Sequence, residues 1–460
     1  MTTKSLLTNN LRGTLVTQTV TGPSTIIKST GLPVETLYVF LAQVDPWPDE
    51  NNPPVPTQDW KYLKSIYKKM FVLKKVLASE ISPILARIDW TANTVYDYYQ
   101  DSIDMTAIDS NGILVHKFYA KNKYDQVFKC LWNKNGGLST SEPFFQPGTY
   151  KTNNIYAGSD GYKWKFMYTI SPGLKRAFMD TNWMPVSVPT ETIYPFESPE
   201  GTGGIEVINV INGGSGFDQV NSAINITIIG DGTGAAAFAT SANGVITDII
   251  VTNPGSNYSS ANTTATSANG SNATFSSPSS PIGGHGLDAF SELGCRNVMF
   301  SVEFNTSEGG VIPTDIKYRQ IGLLSNPVSL SSIASFGSDD VAANGAIYQS
   351  TTNLLAASGF GSFVSGEIVY QGPSANAATF IGTVLSFDNG TNQIKVINTL
   401  GTVILNASIF GQSSSTARTL LQATDPDIIV STGSINYIGN ITGVQRSIDG
   451  IEQFKFVLNY

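Results

Sequence analysis

The sequence predicts an α+β, predominantly β, multi-domain chain: a β-sandwich-like core with few short helices and inserted all-β modules. Three observations carry this. Several segments alternate apolar and polar residues with a period of two, the mark of a strand with one face buried. A short motif recurs inside a β-branched, glycine-punctuated stretch. Helical spacing of apolar residues is convincing in only one place. The length of 460 residues fits about three ordinary domains.

In chain order, Thr36 to Val44 is apolar on both faces, as a central strand would be. Pro53, Pro54 and Pro56 form a stiff, extended approach to a helix expected over Asp59 to Met70. Leu63, Ile66, Tyr67 and Met70 share one face of that helix; Thr57 is its expected N-cap, with Asp59 near the positive dipole end. Tyr162, Trp164, Phe166, Tyr168 and Ile170 alternate with Lys163, Lys165, Met167 and Thr169, which predicts one buried and one solvated face. Val298 to Phe304 and Phe454 to Tyr460 alternate likewise. His116 is expected in a strand. A short helix is expected around Leu287 to Leu293, ended by Gly294. Phe387-Asp388-Asn389-Gly390, between two β-like runs, reads as a hairpin turn.

Charge divides the chain. From Ile205 to Pro281 there is no Lys or Arg, and only Glu206, Asp218, Asp231 and Asp248 are charged. A second charge-poor stretch runs from about Ser331 to Thr424. Both read as inserted β modules, at 205–281 and 331–424. They interrupt a core made of 1–204, 282–330 and the closing strands of 425–460. The first module repeats itself: Val210 to Phe217 (VINGGSGF) returns as Val251 to Tyr258 (VTNPGSNY). Two copies are few for a solenoid, so a compact pseudo-duplicated β unit is expected.

Only 13% of residues are charged and the net charge is −8, so the field that holds a phosphate backbone is missing and a general nucleic-acid binder is not expected. Two cysteines, Cys130 and Cys295, exclude a disulfide framework and a four-cysteine zinc site; two free buried thiols are the expectation. The first residues lack the apolar core of a signal peptide, and the longest apolar run, Leu37 to Ala42, is far too short to span a bilayer. A soluble chain without a membrane anchor is expected.

Candidate chemical motifs fail on context. Gly213 to Asn221 fits a calcium nonapeptide, but such sites need stacked copies, and the second copy has Pro254 in its glycine pair and Ser259 where Asp218 stands in the first. A glycine-cornered turn is the better reading. Ala157-Gly158-Ser159-Asp160-Gly161 resembles a nucleophile elbow, yet a strand rather than a helix follows the serine. His285, in Gly283-Gly284-His285-Gly286, has no partner nucleophile of matching context, which favours a structural or interface role over catalysis. Lys61, Lys64, Lys68, Lys69, Lys74 and Lys75 form a basic run, either a solvated helix face or a docking surface for an acidic partner. No P-loop or dinucleotide fingerprint occurs. No catalytic residue, cofactor or metal is therefore expected.

Several segments, in order, resemble one family. They are Asp45-Pro46-Trp47 with the Pro-rich loop and Trp60; Arg87-Ile88-Asp89-Trp90; and Val127-Phe128-Lys129-Cys130-Leu131. Downstream come Gly158-Ser159-Asp160-Gly161-Tyr162-Lys163-Trp164, then Tyr318 to Pro327 (YRQIGLLSNP), and the final Glu452 to Tyr460. The chain resembles the baseplate wedge subunit of contractile-tailed, T-even-like bacteriophages that forms a two-fold dimer within each wedge. The resemblance covers roughly 1–204, 283–330 and 425–460; the two modules do not match it. It implies a non-enzymatic homodimer of the virion's tail baseplate, assembled in the host cytoplasm and clamping other wedge proteins. Under it, Trp47, Trp60, Trp90 and Trp164 are core or interface anchors, with core favoured. Arg87 with Asp89, and Arg319, are expected as buried pair members. The alternative class is a receptor- or glycan-binding tail component, suggested by the Asn-, Thr- and Gly-rich module.

Overall fold

The computed structural model describes residues 8–21, 36–146, 155–187, 203–217, 224–267, 269–314, 316–330, 345–447 and 449–460. Strands dominate, and helices are few and short among the described residues. The chain divides into two compact units, one of Met1–Gln18, Ser82–Met299 and Val457–Tyr460, the other of Thr19–Ile81 and Phe300–Phe456.

In the second unit a five-stranded sheet runs in the order Ile347–Gln349, Met70–Lys75, Leu37–Ala42, Lys317–Ser325, Ser434–Gln445, with every pair antiparallel. Leu37–Ala42 is buried throughout because both its edges and both its faces are covered. Helix Trp60–Lys69 lays Ile66 and Tyr67 onto Tyr38, Phe40 and Leu73. Its cap is Asp59, not Thr57: the Asp59 carboxylate accepts from the Lys61 amide at 3.2 Å, and Asp59 itself is extended.

The same unit holds a closed six-stranded barrel of Thr352–Ala356, Gln393–Gly401, Phe380–Asp388, Ile368–Gln371, Ser408–Gly411 and Ala417–Thr424. Leu354, Val369, Val384, Ile394, Val396 and Leu420 fill it. Closure removes the exposed edges that a small open sheet would carry. The expected hairpin is present: Asp388 closes it by accepting from the Gly390 amide at 2.8 Å and the Thr391 hydroxyl at 2.7 Å.

In the first unit, Tyr119–Lys121, Gln126–Trp132, Lys163–Thr169 and Ile155–Ala157 form an antiparallel sheet. Trp164 is fully buried at its centre, stacked on Tyr162 and edge-on to Tyr96. Both cysteines are free and buried. The Ser159 motif is a turn: Asp160 accepts from the Thr140, Ser141 and Tyr162 amides. His116 lies outside any strand, 3.9 Å from Asp97.

The repeated motif forms the same corner twice. Gly214 and Gly255 both sit at φ +66° with their amides bonded at 3.0 Å to Asn212 and Asn253 respectively. A Cβ on either would strike backbone oxygen, Ser271 or Thr233, and then the ring of Phe217 or Tyr258. Asn209–Ser215 pairs with Ser271–Ser276, and Val245–Ser256 pairs with Thr233–Ala242, so each corner strand is partnered by the last strand of the other copy. Asp218, the would-be calcium ligand, lies outside the described residues.

Candidate functional site

The face of Lys163–Thr169 expected to be solvated is covered at Lys163, Lys165 and Met167 and open only at Thr169. Lys165 is buried and Lys163 nearly so, because each meets one of the few acids of the Gly-rich stretch. Lys163 Nζ is 2.7 Å from Asp248 and Lys165 Nζ is 2.9 Å from Glu206. In a stretch with no cation of its own, those two carboxylates tie it to the sheet.

Lys165 and Glu206 open onto a sealed ion cluster. Lys129 projects from Gln126–Trp132, a strand buried along its whole length. Its Nζ lies 2.9 Å from Glu292 Oε2, 3.0 Å from His285 Nδ1 and 4.0 Å from the centroid of the Tyr99 ring. Glu292 comes from helix Ala289–Glu292, shorter than expected and capped by Asp288. Its Oε1 accepts from the Gly286 amide at 2.7 Å, and Glu206 Oε1 accepts from the His285 amide at 2.6 Å. The glycines beside His285 are required. Gly284 and Gly286 sit at φ +89° and +87°, and a Cβ there would close on Glu206 and Lys165. Tyr99 meets the imidazole edge-on at 4.7 Å.

The electrostatics follow. The ammonium donates to Nδ1, so the imidazole is neutral with its proton on Nε2. Burial first, then the Lys129 charge, push the His285 pKa down to about 4. Burial alone would raise Glu292, but His285 once protonated, by hydrogen bond and charge, together with the Lys129 charge, outweighs it and holds the carboxyl at about 2. Burial pulls Lys129 below its ordinary value and Glu292 opposes that. The cluster is two cations, two anions and a neutral ring. Side-chain exposure is 1% for Lys129 and His285 and 3% for Glu292, so no reactant reaches them without the fold opening. Removing any one charged member would leave an uncompensated charge in a sealed site.

A second clamp lies in the other unit. Arg319 is 5% exposed at its side chain; Nε bonds Glu50 at 2.6 Å and Nη1 bonds the Val44 carbonyl. The Trp47 indole donates to the Ile441 carbonyl at 2.9 Å, and Glu50 accepts from the Gly443 amide at 3.3 Å. Asn440 reaches the Pro54 carbonyl and Tyr62. The Pro-rich loop is thereby fastened onto Ser434–Gln445. Arg319→Ala leaves the buried Val44 carbonyl without its donor and cuts the loop's link to Glu50, and should lower the melting temperature by several degrees. Calorimetry checks this, and an unchanged melt would refute the role.

The remaining residues singled out from sequence divide. Trp90 is half-buried and donates to Ser139 Oγ at 3.0 Å. Arg87 and Asp89 do pair, at 2.7 Å, but at 28% and 48% exposure, so this pair is superficial rather than buried. Trp60 is no core anchor: it is 62% exposed. It is the first residue of its helix, at the edge of the apolar face. Lys129, Lys165, Glu206 and Glu292 escaped the sequence reading; the glycine-flanked His285 was the one signal near them.

A cleft of about 200 Å³ lies between the sheet and the Gly-rich stretch, lined by Trp132, Lys134, Tyr162, Lys163, Thr247 and Asp248 among others. Among the described residues no three or more His, Cys, Asp or Glu side chains converge as a metal site would, and no helix is long and apolar enough to cross a membrane. No protein-family model and no curated protein matches this chain.

Proposed function

We propose that this chain is a structural subunit of a contractile phage tail baseplate wedge, acting as a homodimer that holds neighbouring wedge proteins and performing no catalysis. One observation carries the reading: the segments that resemble the wedge family do framework work. Asp160 ties Thr140 and Ser141 to its turn. Lys129 of the Val127–Leu131 segment anchors the ion cluster. Arg319 fastens the Trp47 loop. Asn326 accepts from the Thr36 amide at 2.8 Å and so pins the start of the central strand. A low share of charge and abundant aromatic residues suit surfaces consumed by partners. Equilibrium sedimentation should give a dimer at micromolar protein; monomer alone would overturn the dimeric reading.

The second reading, recognition of a receptor or glycan, draws on the cleft, where aromatic, hydroxyl and charged groups converge. Deleting 205–281 is a poor discriminator, because it strips Lys165 and His285 of Glu206. Saturable binding of the intact chain on a glycan array, lost on Lys134→Ala with Thr247→Ala, would favour recognition.

A further inference from the structure

The basic run seen in the sequence is split by the fold. Lys69 pairs with Asp45 at 3.1 Å and Lys74 with Glu308 at 2.6 Å. Lys61, Lys64 and Lys68 are exposed and make no ion pair among the described residues. They share one face of helix Trp60–Lys69 with Trp60, at spacings of three to four residues. Lys64 Nζ stands 5.3 Å from the Trp60 ring. Val55, 83% exposed in the Pro-rich loop before the helix, adds apolar surface held by a stiff backbone. The chain carries more acids than bases, 35 against 27, yet leaves these three cations unanswered beside its exposed indole.

We propose that this helix face is a docking surface for an acidic segment of another protein, with Trp60 as the anchor and Lys61, Lys64 and Lys68 as the charge complement. Tryptophan is among the residues most enriched at interface hot spots, and the three lysines add charge complementarity around it. The overall charge of −8 decides between anionic partners. A nucleic acid or a lipid surface presents negative charge over many Debye lengths and meets the repulsion of the whole chain. A short acidic segment feels the local lysines alone, within a Debye length of about 8 Å. The inference stands on local geometry and does not rest on the baseplate reading.

The test is fluorescence anisotropy of the full chain with a short labelled peptide of repeating Glu-Glu-Leu. Its Gln-Gln-Leu twin, a short DNA duplex and phosphatidylserine vesicles serve as comparisons. We expect saturable, salt-sensitive binding of the acidic peptide alone. Lys61→Gln with Lys64→Gln and Lys68→Gln should weaken it roughly tenfold, the combined worth of three exposed ion pairs. The matching Lys→Arg triple variant should retain it, and Trp60→Ala should weaken it several-fold. These positions are exposed and Gln is a good helix former, so the fold is kept. Equal binding by wild type and the Gln variant, no peptide binding, or tighter binding of DNA or vesicles would each overturn the proposal.

Discussion

Glu292→Leu is expected to destabilise its unit by about 3–5 kcal/mol, the cost of leaving a buried ammonium without its counter-charge. The Lys129 ammonium would keep a neutral imidazole and an aromatic face, neither of which replaces an anion 2.9 Å away. Lys129→Met should cost a similar amount, because Glu292 then remains charged in a sealed site. The double variant should recover a large part of the loss, since both desolvation penalties go together. Recovery will be partial, because Glu292 also holds the Gly286 amide. Calorimetric unfolding of the set, with hydrogen exchange across Gln126–Trp132, reads the cycle. Single variants costing under about 1 kcal/mol would mean that the groups are solvated.

Acid should weaken the same unit in a defined window. His285 faces Lys129, Glu292, Glu206 and the Tyr99 ring, with Lys165 beyond Glu206. Tyr99 is pushed up to about 12, by burial first, and takes no part. The folded imidazole titrates at about 4, against an ordinary 6.5. The unfolded chain therefore binds the extra proton between those values, and stability falls as pH drops from 6.5 to 4. At about 1.4 kcal/mol per pH unit the loss is on the order of 3 kcal/mol. Glu292, held at about 2 instead of 4.5, continues the loss as pH falls from 4.5 to 2. Calorimetry across pH should show this slope, and His285→Gln should remove its upper part. An unchanged slope in that variant would place the titrating group elsewhere.

What was legible in the sequence was what depends on neighbours. The run Thr36 to Val44 betrays a strand covered on both faces, and the hairpin at Asp388 announces itself through Asp-Asn-Gly. The repeated corner was visible because only glycine tolerates its left-handed backbone. Helix Asn9–Thr21 was missed, since its Thr, Val and Asn residues are poor helix formers. Val16 is buried there, and the bare Gly13 lies against Phe290, contacts that no local pattern encodes. Lys165 is deceptive in sequence for a related reason. A lysine on the polar side of a period-two strand reads as solvated until Glu206, 41 positions away, covers it. Lys129 and Glu292 are 163 positions apart, so their meeting is a property of the fold. Barrel closure in the Thr352–Thr424 region is likewise a matter of strand order.

The central claim is that the chain works by holding other proteins together. Native mass spectrometry of the purified chain mixed with its proposed wedge neighbours addresses it directly. The predicted result is a discrete complex that contains two copies of this chain at a fixed ratio to its neighbours. A chain that stays alone at every ratio, while the other proteins assemble without it, would contradict the claim.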